Sequence, residues 1–195
     1  MLVSMQSRAP LRKHLRQAWL YAIKTYSKAL INSERGLQVY FCAELLEIFR
    51  KEGYARRIFV EPRISGDKGK HRYPDVVICN RRQIIAVVEL KYQPRVPAVR
   101  GDYQKDLDTL CWIQESTEGV TISNDRYLGP AGRPRTYSVA KDALFCWAGV
   151  YPGSRFDLAS HAPRKLRDRL LVLHAMTDAD QEPDVRAEFR RHSQD

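Results

Sequence analysis

Three charged residues interrupt two apolar runs in the middle of the chain. Asp75 begins the run DVVIC, and Glu89 and Lys91 lie at the end of the run QIIAVVELK. A charge is costly in such sequence because burial removes it from water, and two neighbouring carboxylates repel each other unless a cation lies between them. The pattern therefore indicates a site in which Asp75 and Glu89 hold a cation beside the ammonium group of Lys91.

The types of these side chains indicate phosphoryl-transfer chemistry. Mg²⁺ prefers oxygen ligands and typically binds one or two carboxylates together with water and substrate phosphates. A cation held in this way polarises a phosphate and lowers the pKa of an attacking water molecule. Lys91 could orient or deprotonate that water, or stabilise charge on the phosphate. Metal-assisted hydrolysis of a phosphate ester is therefore the chemistry that we expect of this site.

Whether the three side chains meet depends on the hairpin predicted for residues 75–90. Alternation along a strand places Glu89 and Lys91 on the same face. With a three-residue turn at 80–82, Asp75 is a diagonal neighbour of Glu89 on that face, whereas a two-residue turn shifts the register by one residue and separates them. In a purely structural alternative, Asp75 only begins a strand, and Glu89 and Lys91 form an ion pair at a sheet edge.

A further carboxylate is expected from the second predicted helix, at residues 34–52. Glu34 lies on the stripe formed by the apolar residues Leu37, Phe41, Leu45 and Ile48. Gln38 lies on this stripe too, whereas Glu44 is nearer its edge, so Glu34 is preferred over Glu44. Glu34 could instead be an acidic residue that the helix dipole favours at a helix N-terminus.

The elements that must position these residues are those of an α/β domain. Apolar spacing and turn residues predict, in order, an amphipathic basic helix at 10–31, a helix at 34–52, a strand at 56–64, an exposed loop at 65–72, the hairpin, a helix at 102–114 and a strand at 143–151. Periodicity assigns the apolar run 169–176 to neither helix nor strand, and residues 178–195 are predicted to form a short helix that frays. The hairpin strands are apolar throughout, which is typical of strands covered on both faces.

The motif residues also resemble those of a known family. Pro74-Asp75, thirteen residues and then Glu89-Leu90-Lys91 resemble the signature of the PD-(D/E)XK nuclease superfamily, and the order of predicted elements from about residue 33 to 151 is similar to its core. The resemblance implies a restriction-endonuclease-like fold, a central mixed β-sheet flanked by helices in the order αβββαβ. The chain would be a single nuclease-like domain with an extra N-terminal helix at 10–31 and a C-terminal extension at 152–195.

The resemblance implies a Mg²⁺-dependent endonuclease that hydrolyses phosphodiester bonds, most often in DNA. Asp75 and Glu89 would bind Mg²⁺, or Mn²⁺ in its place, with the backbone carbonyl of Leu90 as a further ligand. Lys91 would be the catalytic lysine. Glu34 would match the acidic residue of the first core helix and could be a further metal ligand. Polar residues that support the site would be Gln38, Gln104 and Asp106.

The charge of the chain favours a polyanionic partner. Lys and Arg outnumber Asp and Glu by 33 to 23, which gives a formal charge of +10, and such an excess favours binding to phosphate backbones. The residues expected to contact nucleic acid are Lys68, Lys70, Arg72, Arg100 and Lys105. A solvated basic loop is the alternative for those at 68–72.

Other features of the sequence predict against several classes of protein and of bound cofactor. The four cysteines are widely spaced without a CxxC pair, which predicts free thiols in a reducing cytoplasm. The first residues lack the order of a secretory signal, and no apolar run is long enough to cross a membrane. The spacing of histidines and cysteines predicts neither zinc nor an iron–sulfur cluster, and no GxxxxGK loop predicts a bound nucleotide. The N-terminal helix could cover the sheet, contact DNA or mediate formation of a homodimer. The alternative to a nuclease is a non-catalytic nucleic-acid-binding or protein-interaction module on the same fold.

Overall fold

The computed structural model describes residues 8–66, 70–97, 100–116, 119–122, 135–178 and 181–189, without the side chains of residues 8, 100 and 102. Five helices lie within these residues, namely α1 (Arg8–Ser27), α2 (Glu34–Lys51), α3 (Arg100–Glu115), α4 (Leu158–His161) and α5 (Arg164–Arg167). The same residues form nine strands, namely β1 (Arg57–Val60), β2 (Ile64–Ser65), β3 (His71–Arg72), β4 (Val76–Cys79), β5 (Gln83–Tyr92), β6 (Val120–Ile122), β7 (Arg135–Pro152), β8 (Leu170–Asp178) and β9 (Gln181–Phe189). None of these helices is both long enough and apolar enough to cross a lipid bilayer.

The strands form an open sheet with both parallel and antiparallel neighbours. Its central order is β1-β4-β5-β7-β8-β9, in which β5–β7 and β7–β8 are parallel and the other neighbours antiparallel. The first residues of β7 also pair with β6, which continues to β2 and β3. Helix α3 lies in the crossover that the parallel strands β5 and β7 require. The predicted α/β class with a mixed sheet flanked by helices is confirmed, and the run 169–176 proves to be a strand.

The central hairpin of β4 and β5 is buried on both faces. Val76 and Val88 belong to a core cluster that includes the buried residues of α1 and α2. Val77 and Val87 belong to a second cluster, with α3 and the two short helices. Because alternate residues of each strand face opposite layers, both faces need apolar side chains, which explains the continuous apolar runs.

Helix α2 begins and ends where its sequence predicts. The Ser33 hydroxyl accepts a hydrogen bond from the Gly36 amide at 3.1 Å, and Gly53, with φ of 70°, follows the helix end. The predicted stripe is buried in the core at Leu37, Phe41, Leu45 and Ile48. Burial of each such side chain contributes about 1.5–3 kcal/mol. This face therefore fixes α2 on the sheet and directs its first turn towards the ends of β4 and β5.

Helix α1 covers the sheet together with α2. Its side chains Leu15, Ala18, Trp19 and Ala22 are at most 1% exposed. The Trp19 indole donates a hydrogen bond to the His174 carbonyl of β8 at 3.4 Å. Of the three roles considered for this helix, covering the sheet is observed, whereas DNA contact and dimerisation stay predictions.

Two segments differ from the sequence-based expectation. The helix predicted at 178–195 is wrong, because residues 181–189 form strand β9 against β8, and residues 190–195 lie outside the described residues. A signal for this strand was the alternation of charged residues with Pro183, Val185, Ala187 and Phe189. The strand predicted at 56–64 is divided into β1 and β2, since Glu61 has φ of 44° and Pro62 follows it.

Candidate metal centre

The central hairpin places Asp75 directly opposite Glu89. Val76 pairs with Val88 in the antiparallel ladder, so the next position pairs the two acidic residues on one face. The sequence alone predicted only a diagonal neighbourhood, and it predicted that from a different turn. The observed arrangement brings the two carboxyl groups closer than was expected.

The turn has two residues, and a β-bulge compensates for it. Asn80 pairs with Gln83 across the turn, with its amide donating to the Gln83 carbonyl at 3.0 Å, and the Asn80 side chain accepts from the amides of Arg82 and Gln83 at 2.9 and 2.8 Å. This Asn-initiated turn alone would put Asp75 and Glu89 on opposite faces. However, the register shifts by one residue at Ile85, which is extra in β5. The three-residue turn is therefore wrong, but the shared face that it was meant to explain is present.

Asp75 and Glu89 form a close pair of carboxyl groups. Glu89 is only 6% exposed, and its side chain lies on the same face as that of Asp75, directly opposite it in the hairpin. Burial, reinforced by the negative charge of Asp75, holds the pKa of Glu89 well above its usual range. Burial also raises the pKa of Asp75 to about 6, although the hydrogen bond from the Leu90 amide opposes this shift. Such a pair needs either a shared proton or a cation to be stable.

Carboxylates occupy the edge of β5 beyond the start of β4. The Asp75 Oδ2 atom accepts from the Leu90 amide at 2.6 Å, and the Glu34 Oε2 atom accepts from the Tyr92 amide at 2.9 Å. The N–H and C=O groups of one residue point to the same edge of an extended strand. The Leu90 carbonyl therefore faces the same edge as Asp75, as a metal ligand at this position would have to do.

The backbone of Asp75 is held by two further contacts. The buried side chain of Gln38 donates from Nε2 to the Asp75 carbonyl at 3.0 Å, and the Glu61 amide donates to the same carbonyl at 2.9 Å. Gln38 thus contacts Asp75 from its predicted place on the α2 stripe. The Glu61 amide was not predicted, because a backbone contact of this kind leaves no signal in residue type.

Glu34 lies at the rim of the site rather than inside it. It is the first residue of α2 and is exposed, in contrast to the inward position expected from its stripe. Its negative charge nevertheless raises the pKa of both Asp75 and Asp106. Glu44 lies ten residues further along α2, about 15 Å along the helix axis. Glu34 is therefore the helix-borne acidic residue that is near the carboxyl pair.

Lys91 and Asp106 complete the charged cluster on the face of Glu89. Lys91 Nζ lies 3.9 Å from Asp106 Oδ2, and the Trp147 indole donates to the same oxygen at 3.1 Å. Burial raises the pKa of Asp106, and the charge of Lys91 opposes that shift. Of the two supporting residues predicted on α3, only Asp106 reaches the site, since the Gln104 amide binds Asp108 at 2.9 Å.

The donor set suits a cation that keeps part of its water shell. Within the described ranges, no three His, Cys, Asp or Glu side chains are close enough together to enclose a metal ion. Mg²⁺ commonly binds one or two carboxylates and completes its shell with water and phosphate oxygens. The pair of Asp75 and Glu89, with the Leu90 carbonyl on the same edge, fits this type of open site.

No protein family, curated protein or solved structure matches this chain.

Of the residues predicted to bind nucleic acid, the described part of the chain places Lys105 next to Asp106 and Arg72 beside Trp112. Lys70 and Lys105 are exposed, whereas Arg72 is half-buried with its guanidinium 5.6 Å from the ring centre of Trp112. Lys68 lies outside the described residues, and Arg100 is the first residue of α3 with its side chain not described. Arg72 thus lies beside the second half of α3, where Trp112 is located.

Sequence reasoning missed Trp147, which lies beside Glu89 on the neighbouring strand. The parallel ladder pairs Glu89 with Trp147 and Lys91 with Gly149. Residue type alone indicated only a buried aromatic residue in a strand. The register between β5 and β7, which are separated by α3 in the chain, left no pattern from which this neighbourhood could be predicted.

Proposed function

We propose that this protein is a Mg²⁺-dependent nuclease that hydrolyses phosphodiester bonds in DNA. The observation that carries the proposal is the buried carboxyl of Glu89 opposite Asp75 on one face of the hairpin, with Lys91 two residues further on the same face. Two ionised carboxyl groups that are buried side by side repel each other unless they share a proton or bind a cation. A bound cation would turn this unfavourable contact into a binding site.

The order of elements supports a restriction-endonuclease-like core. Helix α2, the antiparallel strands β1, β4 and β5, helix α3 and the parallel strand β7 occur in the order αβββαβ, with the short strands β2 and β3 between β1 and β4 and the short strand β6 before β7. Asp75 and Glu89-Leu90-Lys91 lie at the ends of two neighbouring central strands. This agreement was expected from the resemblance to the PD-(D/E)XK nucleases and supports the assignment of the motif.

In the proposed mechanism each residue has a separate task. Asp75, Glu89 and the Leu90 carbonyl would hold Mg²⁺, or Mn²⁺ in its place. When bound, this cation supplies Lewis-acid chemistry to the phosphate and acidifies water. Lys91 presents its ammonium group on the same face, where it would orient the attacking water or stabilise charge on the phosphate. Glu34 would bind a water molecule or the cation from the rim.

A second candidate is a non-catalytic nucleic-acid-binding module on the same fold. It is favoured by the hydrogen bonds from the Leu90 and Tyr92 amides, which give Asp75 and Glu34 a structural use. In both candidates the excess of positive charge supports a nucleic-acid partner. Only the nuclease requires a cation between Asp75 and Glu89.

Cleavage of supercoiled plasmid separates the two candidates. Wild type, Lys91→Ala and the control Lys24→Ala, which removes an exposed lysine of α1, are compared with Mg²⁺ and with EDTA. We expect cutting by wild type and Lys24→Ala only with Mg²⁺, and a loss of about 100-fold or more in Lys91→Ala. Equal cutting in all samples would indicate a contaminating enzyme. Salt-sensitive binding without metal-dependent cleavage of duplex, single-stranded, branched or RNA substrates would favour the second candidate.

A further inference from the structure

Strand β7 places an unusual pair of residues beside the carboxyl centre. Trp147 is opposite Glu89, and Gly149 is opposite Lys91, in the parallel ladder with β5. Paired residues of neighbouring strands present their side chains on the same face of the sheet. The indole, which is fully buried, therefore lies on the same face as the proposed metal ligand and the proposed catalytic lysine.

Gly149 allows the indole to lie along the strand. A Cβ atom at Gly149 would be 2.7 Å from Cζ3 of the Trp147 ring, closer than real Cβ atoms approach other atoms. The ring thus occupies the space that a side chain at position 149 would take. In this orientation its Nε1 atom points at α3 and donates to Asp106 Oδ2 at 3.1 Å.

The same oxygen of Asp106 faces Lys91. The distance from Oδ2 to Lys91 Nζ is 3.9 Å, and both side chains are largely buried, at 13% and 23% exposed. Helix α3 is fixed against the sheet by the buried residues Tyr103, Leu107 and Leu110. Asp106 is therefore held by the helix and by the indole, and it offers a fixed negative charge to a flexible side chain.

Without the charge of Asp106, Lys91 would have Glu89 as an alternative carboxylate partner. Glu89 is two residues away on the same face, about 7 Å along the strand, within reach of a four-carbon stem. An ammonium group drawn to Glu89 and Asp75 would occupy the place of a cation. We propose that Asp106, anchored by Trp147 lying on Gly149, is a positioning residue that keeps Lys91 off the carboxyl pair and so leaves it open for Mg²⁺. This inference rests on the metal site of the proposed nuclease, but not on turnover.

A double-mutant cycle of metal affinity tests the inference. Mg²⁺ binding is measured by titration calorimetry on the whole chain, without substrate, for wild type, Asp106→Asn, Lys91→Met and the double variant. We expect Asp106→Asn to weaken binding about 10-fold or more, as loss of a supporting residue around a metal site commonly does. In the Lys91→Met background the same substitution should change the affinity less than about 2-fold, because no ammonium remains to compete.

Two further variants control for the loss of a negative charge on α3 and test the hydrogen bond from Trp147 to Asp106. Asp108→Asn removes an exposed carboxylate of the same helix that binds Gln104, and it should leave Mg²⁺ affinity unchanged. Trp147→Phe keeps a ring but removes the donor to Asp106, and it should weaken Mg²⁺ binding in the same direction as Asp106→Asn. Thermal unfolding of each variant shows whether it is folded at the temperature of the titration.

The outcomes distinguish this inference from the proposed function. Equal weakening by Asp106→Asn in both lysine backgrounds would mean that only its charge matters, and would overturn the inference while leaving the metal site in place. An unchanged affinity in Asp106→Asn would overturn it as well. A wild-type protein that binds no Mg²⁺ would refute the nuclease proposal and the inference together.

Discussion

Replacement of Asp75 by asparagine is expected to stabilise the metal-free protein. Burial raises the pKa of Asp75 from 3.8 to about 6 in the fold. One pKa unit corresponds to about 1.4 kcal/mol, so the ionised carboxylate costs the folded state about 3 kcal/mol above pH 6. An asparagine carries no charge and keeps an oxygen for the Leu90 amide. Asp75→Asn should therefore raise the free energy of unfolding by up to about 3 kcal/mol at pH 7.5.

The sign of this effect fixes its pH dependence. The folded state binds the Asp75 proton more tightly than the unfolded state, so stability is lost as pH rises from about 4 to 6. Below pH 4 both states are protonated, and the advantage of Asp75→Asn should shrink to less than about 1 kcal/mol. For a chain of this length, 3 kcal/mol corresponds to a rise in Tm of about 6–12 °C. Thermal unfolding at pH 4 and pH 7.5, in EDTA, measures both values.

Mg²⁺ should reverse the order of the two proteins. A ligand at 1,000 times its Kd stabilises a protein by about 4.1 kcal/mol, which exceeds the advantage of about 3 kcal/mol expected for Asp75→Asn, and this variant lacks one of the proposed ligands. Glu182→Gln, which removes an exposed carboxylate of β9, is the matched control and should change stability by less than about 0.5 kcal/mol.

If Asp75 only capped the Leu90 amide, the asparagine variant would be less stable than wild type at both pH values, because a hydrogen bond to a charged group contributes about 1.5–3 kcal/mol. A lower Tm at pH 7.5, or a gain that persists at pH 4, would refute the reasoning.

Two other predictions follow from the same cluster. Mg²⁺ binding should strengthen as pH rises from 5 to 8 and should release protons, because the raised pKa of Glu89 lets protons compete with the cation. Calorimetry in two buffers of different ionisation enthalpy measures this proton release. Binding of Mg²⁺ without proton release would contradict the prediction. Gly149→Ala should lower the Tm, since its methyl group would overlap the Trp147 ring, and overpacking typically costs about 1–3 kcal/mol. Gly101→Ala is the control, because its Cβ would meet nothing within 4 Å, and an equal loss there would exclude the steric cause.

The hairpin and its charges were largely predictable because they depend on local patterns. Alternation placed Glu89 and Lys91 on one face, and the unbroken apolar runs indicated burial on both sides. The α2 stripe was predictable for the same reason, and Gln38 lies on it as expected. The structure adds that Glu34, at the same helix start, is exposed, where it accepts a hydrogen bond from the Tyr92 amide at the end of β5.

What could not be predicted depends on contacts between distant segments. The bulge at Ile85 has no signature in residue type, so the register could be stated only as a condition. The neighbourhood of Trp147 and Glu89 depends on how α3 returns the chain to the sheet. Strand β9 is a different case, because the alternation of charged and less polar residues was present in its sequence. The segment was nevertheless predicted to be a helix because of its acidic and basic residues.

The extra residue at Ile85 determines which residue of β5 lies opposite Asp75. If the bulge straightened with the sequence and the two-residue turn unchanged, Asp75 would lie opposite Val88, and Glu89 would face the other side of the sheet. Deletion of Ile85 would instead remove the bulge together with its extra residue and leave every other pair of the hairpin unchanged, with the two carboxyl groups still opposed and one residue fewer between them. The separation of the two acidic residues along the chain is therefore free to differ by one residue in descendants of this protein, provided that the bulge and its extra residue are lost together.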